Sequence, residues 1–281
     1  MILGKKGMLG RELVRAFGNE DFIAYDSKEL DITNQEAVFE RMFTVQPTIV
    51  INATGYTNVD EAEQEQEHAL GVNGYSVGIL AKACREIDAT LVHFSTDYVF
   101  SGDKKSGYNE EGITHPINAY GRSKELGEKL LLEEMQVLDE AMQKEGDYFL
   151  IRTSWLYGNH GKNFVDTMLK LGKEKKELKV VNDQYGKPTS AADLAQQVKW
   201  LIKSNEYPPG IYHVTNEGTT TWFELAKEIF RLAKMDVNVI ACTSAEYKMA
   251  AKRPKYAALL NTKLPALRGW KEALKDYITK K

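Results

Sequence analysis

The sequence predicts a doubly wound α/β fold: a parallel sheet between helical layers, with a smaller mixed α/β lobe built mainly from the C-terminal half. Three observations predict it. Short β-rich apolar runs alternate with stretches of helical spacing through the first 152 residues. The run Pro47-Thr48-Ile49-Val50-Ile51-Asn52-Ala53 is apolar on successive residues, as a parallel strand covered on both faces must be. Three glycines, Gly4, Gly7 and Gly10, stand between the first apolar run and the first helical pattern.

Taken in order, residues 1–3, 22–25, 48–53, 90–95 and 148–152 read as strands. Between them, 9–17, 35–43, 68–87 and 120–142 carry helical spacing. Such alternation implies right-handed crossovers and a Rossmann-type sheet. After about residue 152 the rhythm loosens. Short strands at 179–181 and 210–214 sit among helices at 163–173, 191–203 and 222–234, with five of the seven prolines in this half. Residues 1–152 are therefore expected to form mainly a dinucleotide-binding domain. Residues 153–281 should form mainly a substrate lobe, interleaved with the sheet and roofing the crevice beyond its strand ends. The Glu-, Met- and Gln-rich stretch 131–145 predicts an extended surface helix without chemistry.

Composition narrows the partners. The 37 Lys and Arg against 40 Asp and Glu leave a net charge of -3, without the basic excess a nucleic-acid binder needs. Cys84 and Cys242, both in apolar-patterned stretches, predict buried reduced thiols rather than a disulfide framework or zinc site. The five histidines show no metal-ligand spacing, and His93, inside the fourth strand, predicts a hydrogen-bonded interior side chain. There is no signal-peptide core, and no apolar run approaches the ~20 residues of a membrane helix. A cytoplasmic protein with no membrane partner is expected.

The glycine segment leads straight from a strand into a helix. A turn this tight needs residues without Cβ, and it aims helix N-terminal amides at an anion such as a pyrophosphate. Asp26, 16 residues beyond Gly10, stands where a carboxylate can accept from an adenosine ribose hydroxyl, which favours NADH. Lys5, Lys6 and Lys28 pull the other way, so NADPH or NADH stays open. Asp31 and Ile32 follow the next short extended piece and could flank the adenine.

Tyr120 and Lys124, four residues apart, fall on one helix face. A cation beside a phenol favours phenolate, so Lys124 is expected to lower the Tyr120 pKa below its reference of ~10. Such a phenol can pass a proton to a carbonyl oxygen as hydride reaches the carbon. The strand ending Ser95-Thr96-Asp97-Tyr98 opens at the crevice, where Thr96 can bond the same carbonyl.

The glycine triplet, the Ser-Thr-Asp strand end and Tyr120/Lys124 resemble the extended short-chain dehydrogenase/reductase superfamily. Over nearly the whole chain the sequence is similar to the dTDP-4-dehydrorhamnose reductase family. Residues 4–10, 52–60 with Glu63, 95–100, 152–158, Asp183-Gln184 with Pro188-Thr189, 210–214 and Arg253-Pro254 carry that resemblance in order. It implies that Gly7, Met8 and Leu9 line the pyrophosphate, within the loop framed by Gly4 and Gly10. It also implies Asp26 at the ribose, Asp31 and Ile32 on the adenine side, and Gly55, Tyr56 and Thr57 along the cofactor's middle. Thr96, Tyr120 and Lys124 would be the catalytic trio, with Lys124 also bonding the nicotinamide ribose and Asn73 nearby. Tyr98 and Trp155 would hold the sugar nucleotide, Asp97 would flank the site, and Arg253 would face the nucleotide diphosphate. The implied reaction is reduction of the C4 ketone of dTDP-4-dehydro-L-rhamnose to dTDP-L-rhamnose.

Two other readings stay open. Dehydratases of the superfamily place Glu after Thr-Asp, where this chain has Tyr98, which leaves a reductase or epimerase for another nucleotide 4-ketosugar. A regulatory subunit of methionine adenosyltransferase resembles the same family without catalysing, so a non-catalytic cofactor binder is the second. Some family members use Mg²⁺ for dimer assembly, which needs only a carboxylate or two and water. No residue pattern singles out such a site, and a monomer or homodimer is equally compatible.

Overall fold

The first apolar run makes a strand of only two residues, β1 (Ile2–Leu3), because Gly4 turns the chain at a φ of 84°. In this computed structural model, which describes residues 1–137 and 146–281, β1 lies inside the main sheet. It pairs in parallel with β2 (Ala24–Tyr25) on one side and β3 (Ile49–Asn52) on the other. β4 (Thr90–Thr96) and β5 (Tyr148–Thr153) extend the sheet beyond β3. The short β6 (Leu156–Tyr157), β7 (Glu177–Val181), β8 (Tyr185–Gly186) and β9 (Thr189–Ser190) leave it, and β10 (Gly210–His213) returns beside β5. The order is β10-β5-β4-β3-β1-β2, all parallel, so the chain changes direction across the sheet at β1 and β3. Crevices at such reversals bind ligands.

Alternate residues of each strand feed two cores. Leu3, Val50 and Leu91 face α2 (Gln35–Val45), α4 (Ser76–Glu86) and α5 (Ala119–Met135), packing on Val38, Met42, Leu80, Leu131 and Met135. Ile2, Ile51 and Val92 face the opposite way, toward Leu9 and Leu13 of α1 (Met8–Ala16) and Leu194 and Val198 of α7 (Ala191–Ser204). Covering both faces explains the unbroken apolar run at β3. The helices before α4 and α7 are α3 (Gln66–Leu70) and α6 (Phe164–Glu174). Both cysteines are buried and free.

The expected helix over 68–87 is broken at Gly71–Tyr75, a π-helical turn between α3 and α4. Such turns re-aim side chains, here Asn73. The expected 120–142 helix is described only to Met135, and residues 138–145 lie outside the described residues, as does that part of the surface helix expected over 131–145.

Beyond the sheet, β7 pairs in parallel with β12 (Asn238–Cys242), while β11 (Thr220–Thr221) pairs antiparallel with β8. Leu178 and Val180 of β7 pack with α6, α8 (Trp222–Leu232) and α9 (Trp270–Thr279) through Met168, Leu225, Phe230 and Leu274. Neither β12 nor α9 was expected. β12 is largely half-exposed, so its pattern is weak, and α9 starts at Gly269 without a side-chain cap, the usual start signal.

Candidate functional site

The loop from Gly4 to Gly10 is held tight by contact as well as torsion. A Cβ on Gly4 would lie 2.7 Å from the Ala53 carbonyl oxygen, and one on Gly10 would lie 2.0 Å from the Gly4 carbonyl oxygen. The first turn of α1 is thereby pressed against the exits of β1 and β3. Gly7 is its N-cap and offers no capping side chain, which leaves the turn's amides for an external anion. Asp26 follows β2 directly and is buried. Its Oδ1 accepts the Lys28 amide at 2.8 Å and the Glu29 amide at 3.2 Å, while the Lys6 ammonium pairs with Oδ2. The Lys6 bond is the chief reason the Asp26 carboxyl is held below its ordinary range. Lys5 pairs with Glu29 at 2.6 Å.

At the other end, β4 delivers Thr96 and Asp97 to the same crevice. Thr96 Oγ1 donates to Asp97 Oδ1 at 3.0 Å and accepts the Tyr98 amide at 3.2 Å. Asp97 is 2% exposed, and burial pushes its carboxyl up to about 7. Tyr120 and Lys124 reach in from the first turns of α5, whose start is fixed from two sides. Asn118 Oδ1 accepts the Gly121 amide at 2.7 Å, and Glu63 Oε1 accepts the Ala119 amide at 2.7 Å. The acidic segment at residues 60–65 is thus partly spent on structure.

One expectation is overturned. Lys124 does not acidify Tyr120: burial pushes the phenol up to about 12, offset in part by a hydrogen bond with Thr96. The Lys124 Nζ is committed elsewhere, donating to the Phe94 carbonyl at 2.6 Å and lying 3.2 Å from His93 Nε2. Burial also lowers Lys124, to about 8. A shared helix face brings the two residues to one site, but the carbonyl of β4 aims the longer side chain.

A cavity of about 550 Å³ joins both ends, and its wall includes Gly7, Met8, Leu9, Gly55, Thr57, Thr96, Asp97, Tyr98, Tyr120, Lys124 and Trp155. Gly4 and Gly10 shape the loop from behind that wall. Asp26 stands beyond it at the end of β2, and Ile32 is a core residue. Asp31 accepts from the Thr33 amide and hydroxyl in a local turn at 2.9 and 2.8 Å. Tyr56 is turned outward, its hydroxyl on Glu65 at 2.9 Å. Its backbone is clamped by Asn73, which accepts the Tyr56 amide and donates to its carbonyl, both at 2.9 Å. Arg253 is outside the wall as well. Its guanidinium grips both oxygens of Asp60 at 2.6 Å and donates to the Ala251 carbonyl at 2.7 Å.

Several wall residues escaped the sequence reading, the first of them Trp222, which backs the expected Trp155. Trp155 is stacked on Trp222 with ring centroids 3.5 Å apart and planes 8° from parallel. Trp155 holds a φ of 47°, costly for a bulky side chain, and it fits only because Gly186 has no Cβ: one there would lie 2.4 Å from the indole. Trp222 in turn donates to Gln184 Oε1 at 3.2 Å. Lys162 is the second lysine on the wall, and Ser95 and Thr153 also line it. Ser95 Oγ, Thr153 Oγ1 and Asp97 Oδ2 are buried with no partner among the described residues. Such orphaned atoms cost free energy unless a ligand satisfies them. With the uncapped helix start and the close-packed glycine loop, they fit a polar dinucleotide lying from α1 to Tyr120.

The whole chain, residues 1–281, matches the family described as the RmlD substrate binding domain. The chain belongs to that family. Among curated relatives of this RmlD-family chain, the dTDP-4-dehydrorhamnose reductase of Aggregatibacter actinomycetemcomitans is 39% identical, covering 98% of this chain and 97% of the relative. The dTDP-4-keto-6-deoxy-D-glucose reductase of Streptomyces niveus is 36% identical, covering 98% and 94%. A crystal structure of dTDP-4-dehydrorhamnose reductase from Bacillus anthracis in complex with NADP superposes with a TM-score of 0.92 at 40% identity, covering 100% of this chain and 98% of that one.

Proposed function

We propose that this chain is an NAD(P)H-dependent oxidoreductase that reduces the C4 ketone of dTDP-4-dehydro-L-rhamnose, giving dTDP-L-rhamnose for polysaccharide precursor synthesis. One observation carries the reading: Thr96, Tyr120 and Lys124 share a cavity wall with the uncapped start of α1. The names of the relatives and the NADP complex of the structural neighbour support it.

The nicotinamide cofactor, when bound, supplies the hydride. Gly7, Met8 and Leu9 would hold its pyrophosphate, and Asp26 with Lys6 would meet its adenosine ribose, with Gly55, Thr57 and Lys124 nearer the nicotinamide end. Tyr120 keeps its proton at neutral pH and donates it to the ketone oxygen. Thr96, whose oxygen keeps the Tyr98 amide, would orient the ketone by turning its one hydroxyl proton from Asp97 to the ketone oxygen. The Trp155–Trp222 stack and Tyr98 give flat apolar surfaces for the sugar nucleotide, and Lys162 a cation for its diphosphate. Fixing donor and acceptor in one groove removes much of the entropic cost of encounter.

Residues 1–152 would then serve mainly the cofactor and 153–281 mainly the sugar nucleotide, although β10 lies in the main sheet and α7 packs on it. Among the described residues no helix is long and apolar enough to cross a membrane. We place the reaction in the cytoplasm, in a monomer or homodimer. The similar identity of the Streptomyces niveus relative favours one second reading, reduction of a different dTDP-4-ketosugar.

The test is a substrate panel. Purified protein is mixed with NADPH or NADH and dTDP-4-dehydrorhamnose, and nicotinamide absorbance and product are followed. Turnover with this substrate above other dTDP-4-ketosugars is expected. Preference for another sugar would select the second reading, and tight cofactor binding without oxidation of any would overturn both.

A further inference from the structure

We propose that His93, buried beneath the cavity, is a positioning residue that ties the charge of Lys124 to its location through a hydrogen-bond chain of fixed polarity. The proposal deepens the reductase reading and rests on it, because Lys124 matters here as the partner of Tyr120. His93 is 1% exposed on β4, directly opposite Asn52 of β3 in the parallel register.

The polarity is set by a group that can only donate. The Thr54 amide donates to Asn52 Oδ1 at 3.1 Å, and the Thr54 hydroxyl donates to the same oxygen at 2.5 Å. That fixes the amide orientation, so Asn52 Nδ2 is the atom facing His93 Nδ1 at 3.1 Å. An amide nitrogen donates, so Nδ1 must accept and carries no proton. Neutral His93 therefore holds its proton on Nε2, which faces Lys124 Nζ at 3.2 Å. A hydrogen bond there needs a lone pair on Nζ, and only the neutral amine has one. The amine still has hydrogens for the Phe94 carbonyl at 2.6 Å.

Charging Lys124 sets donor against donor. Imidazolium gives no escape, because burial and Lys124 itself push His93 well below its ordinary range. The ammonium must leave the ring and turn into the cavity that Tyr120 and Thr96 line. Neutral Lys124 is parked on His93, and charged Lys124 is released toward the phenol. With burial lowering it to about 8, both forms occur near neutral pH.

Several other charges on and against α5, Glu125 with Lys129 among them, have partners of their own. Glu128, one turn along, is spent on Arg152 of β5 at 3.0 and 2.7 Å. Glu63 holds the Ala119 amide, Glu65 the Tyr56 hydroxyl, and Glu134 pairs with Arg85; His68 lies edge-on to Tyr56. Asp97 and Tyr120 share the cavity wall with Lys124. Among these, Glu128 is the charge that acts to raise Lys124.

The test reads the ring directly. Long-range proton–nitrogen NMR of the full chain, with the His93 signals assigned through His93→Phe, should show a proton on Nε2 and a bare Nδ1 throughout about pH 6 to 9. A proton on Nδ1, or an imidazolium, would overturn the chain whether or not the protein reduces any sugar. The near-isosteric Asn52→Asp reverses the chain, because a carboxylate draws the ring proton to Nδ1 and leaves Nε2 to accept from an ammonium. It should move the alkaline limb of kcat up by about one pH unit and lower the plateau several-fold, with the ring proton moved to Nδ1. A reversed ring with an unmoved limb would refute the link between His93 and Lys124. Absence of reductase activity in the unmodified chain would count against the proposed function alone, since the ring tautomer is read without turnover.

Discussion

Thr96 gives its hydroxyl proton to one oxygen of Asp97 at 3.0 Å, while the other carboxyl oxygen is buried with no partner among the described residues. Burial therefore dominates Asp97 and lifts its carboxyl from 3.8 to about 7. Between those values the folded chain holds a proton that the unfolded chain has lost, so stability falls as pH rises through the window. The rise is equivalent to ~4 kcal/mol, complete above the folded value and absent below the unfolded one. Asp97→Asn abolishes the titration. Its melting temperature relative to the unmodified chain should climb between about pH 4 and 7, and a difference independent of pH would show that Asp97 is not the group responsible.

Tyr120→Phe removes the proposed proton donor and its bond with Thr96 but leaves the α1 loop untouched. Turnover should fall ~10²- to 10⁴-fold, the usual worth of a positioned acid, with the NADPH dissociation constant changed little. Steady-state rates and a fluorescence titration check the two halves separately. Turnover within a few-fold of the unmodified chain would mean that another group protonates the ketone.

Lys6 and Asp26 are paired at the proposed ribose end, and each masks the other's charge. Lys6→Ala uncovers a carboxylate that repels a 2′-phosphate and should shift kcat/KM toward NADH by roughly tenfold, the worth of a modest ionic contact. Asp26→Ala frees the ammonium and should shift the ratio toward NADPH. The same ratio in both variants would exclude this pair from cofactor choice.

The parts legible in the sequence were those whose signal is local. The central strands showed as continuous apolar runs because helices cover both faces, and the glycine loop showed because its demand for missing Cβ atoms is confined to Gly4 through Gly10. Tyr120 and Lys124 could be paired from helical spacing, yet the direction of Lys124 depends on the Phe94 carbonyl, which spacing does not encode. Trp222 was illegible because its place beside Trp155 depends on the gap at Gly186, more than thirty residues away. Arg253 could be singled out but not placed, since its partner Asp60 is 193 positions distant. The His93 chain needed the register that sets Asn52 opposite His93.

Among the described residues Arg152 and Glu128 form the most enclosed ion pair, with side chains 4% and 3% exposed, and they tie β5 to α5. The guanidinium donates through Nε at 3.0 Å and Nη2 at 2.7 Å, and Nη1 reaches the Glu110 carbonyl at 3.3 Å. Removing the cation alone strands a buried carboxylate. Arg152→Met should therefore destabilise the chain by ~3–5 kcal/mol in urea unfolding. Adding Glu128→Leu removes the stranded charge and should recover most of that loss, because an apolar pair of similar volume avoids the desolvation cost. A double variant no more stable than Arg152→Met would mean that the guanidinium matters for its packing and its bond to Glu110 rather than for its charge. A recovered double variant would place the coupling energy in the pair itself.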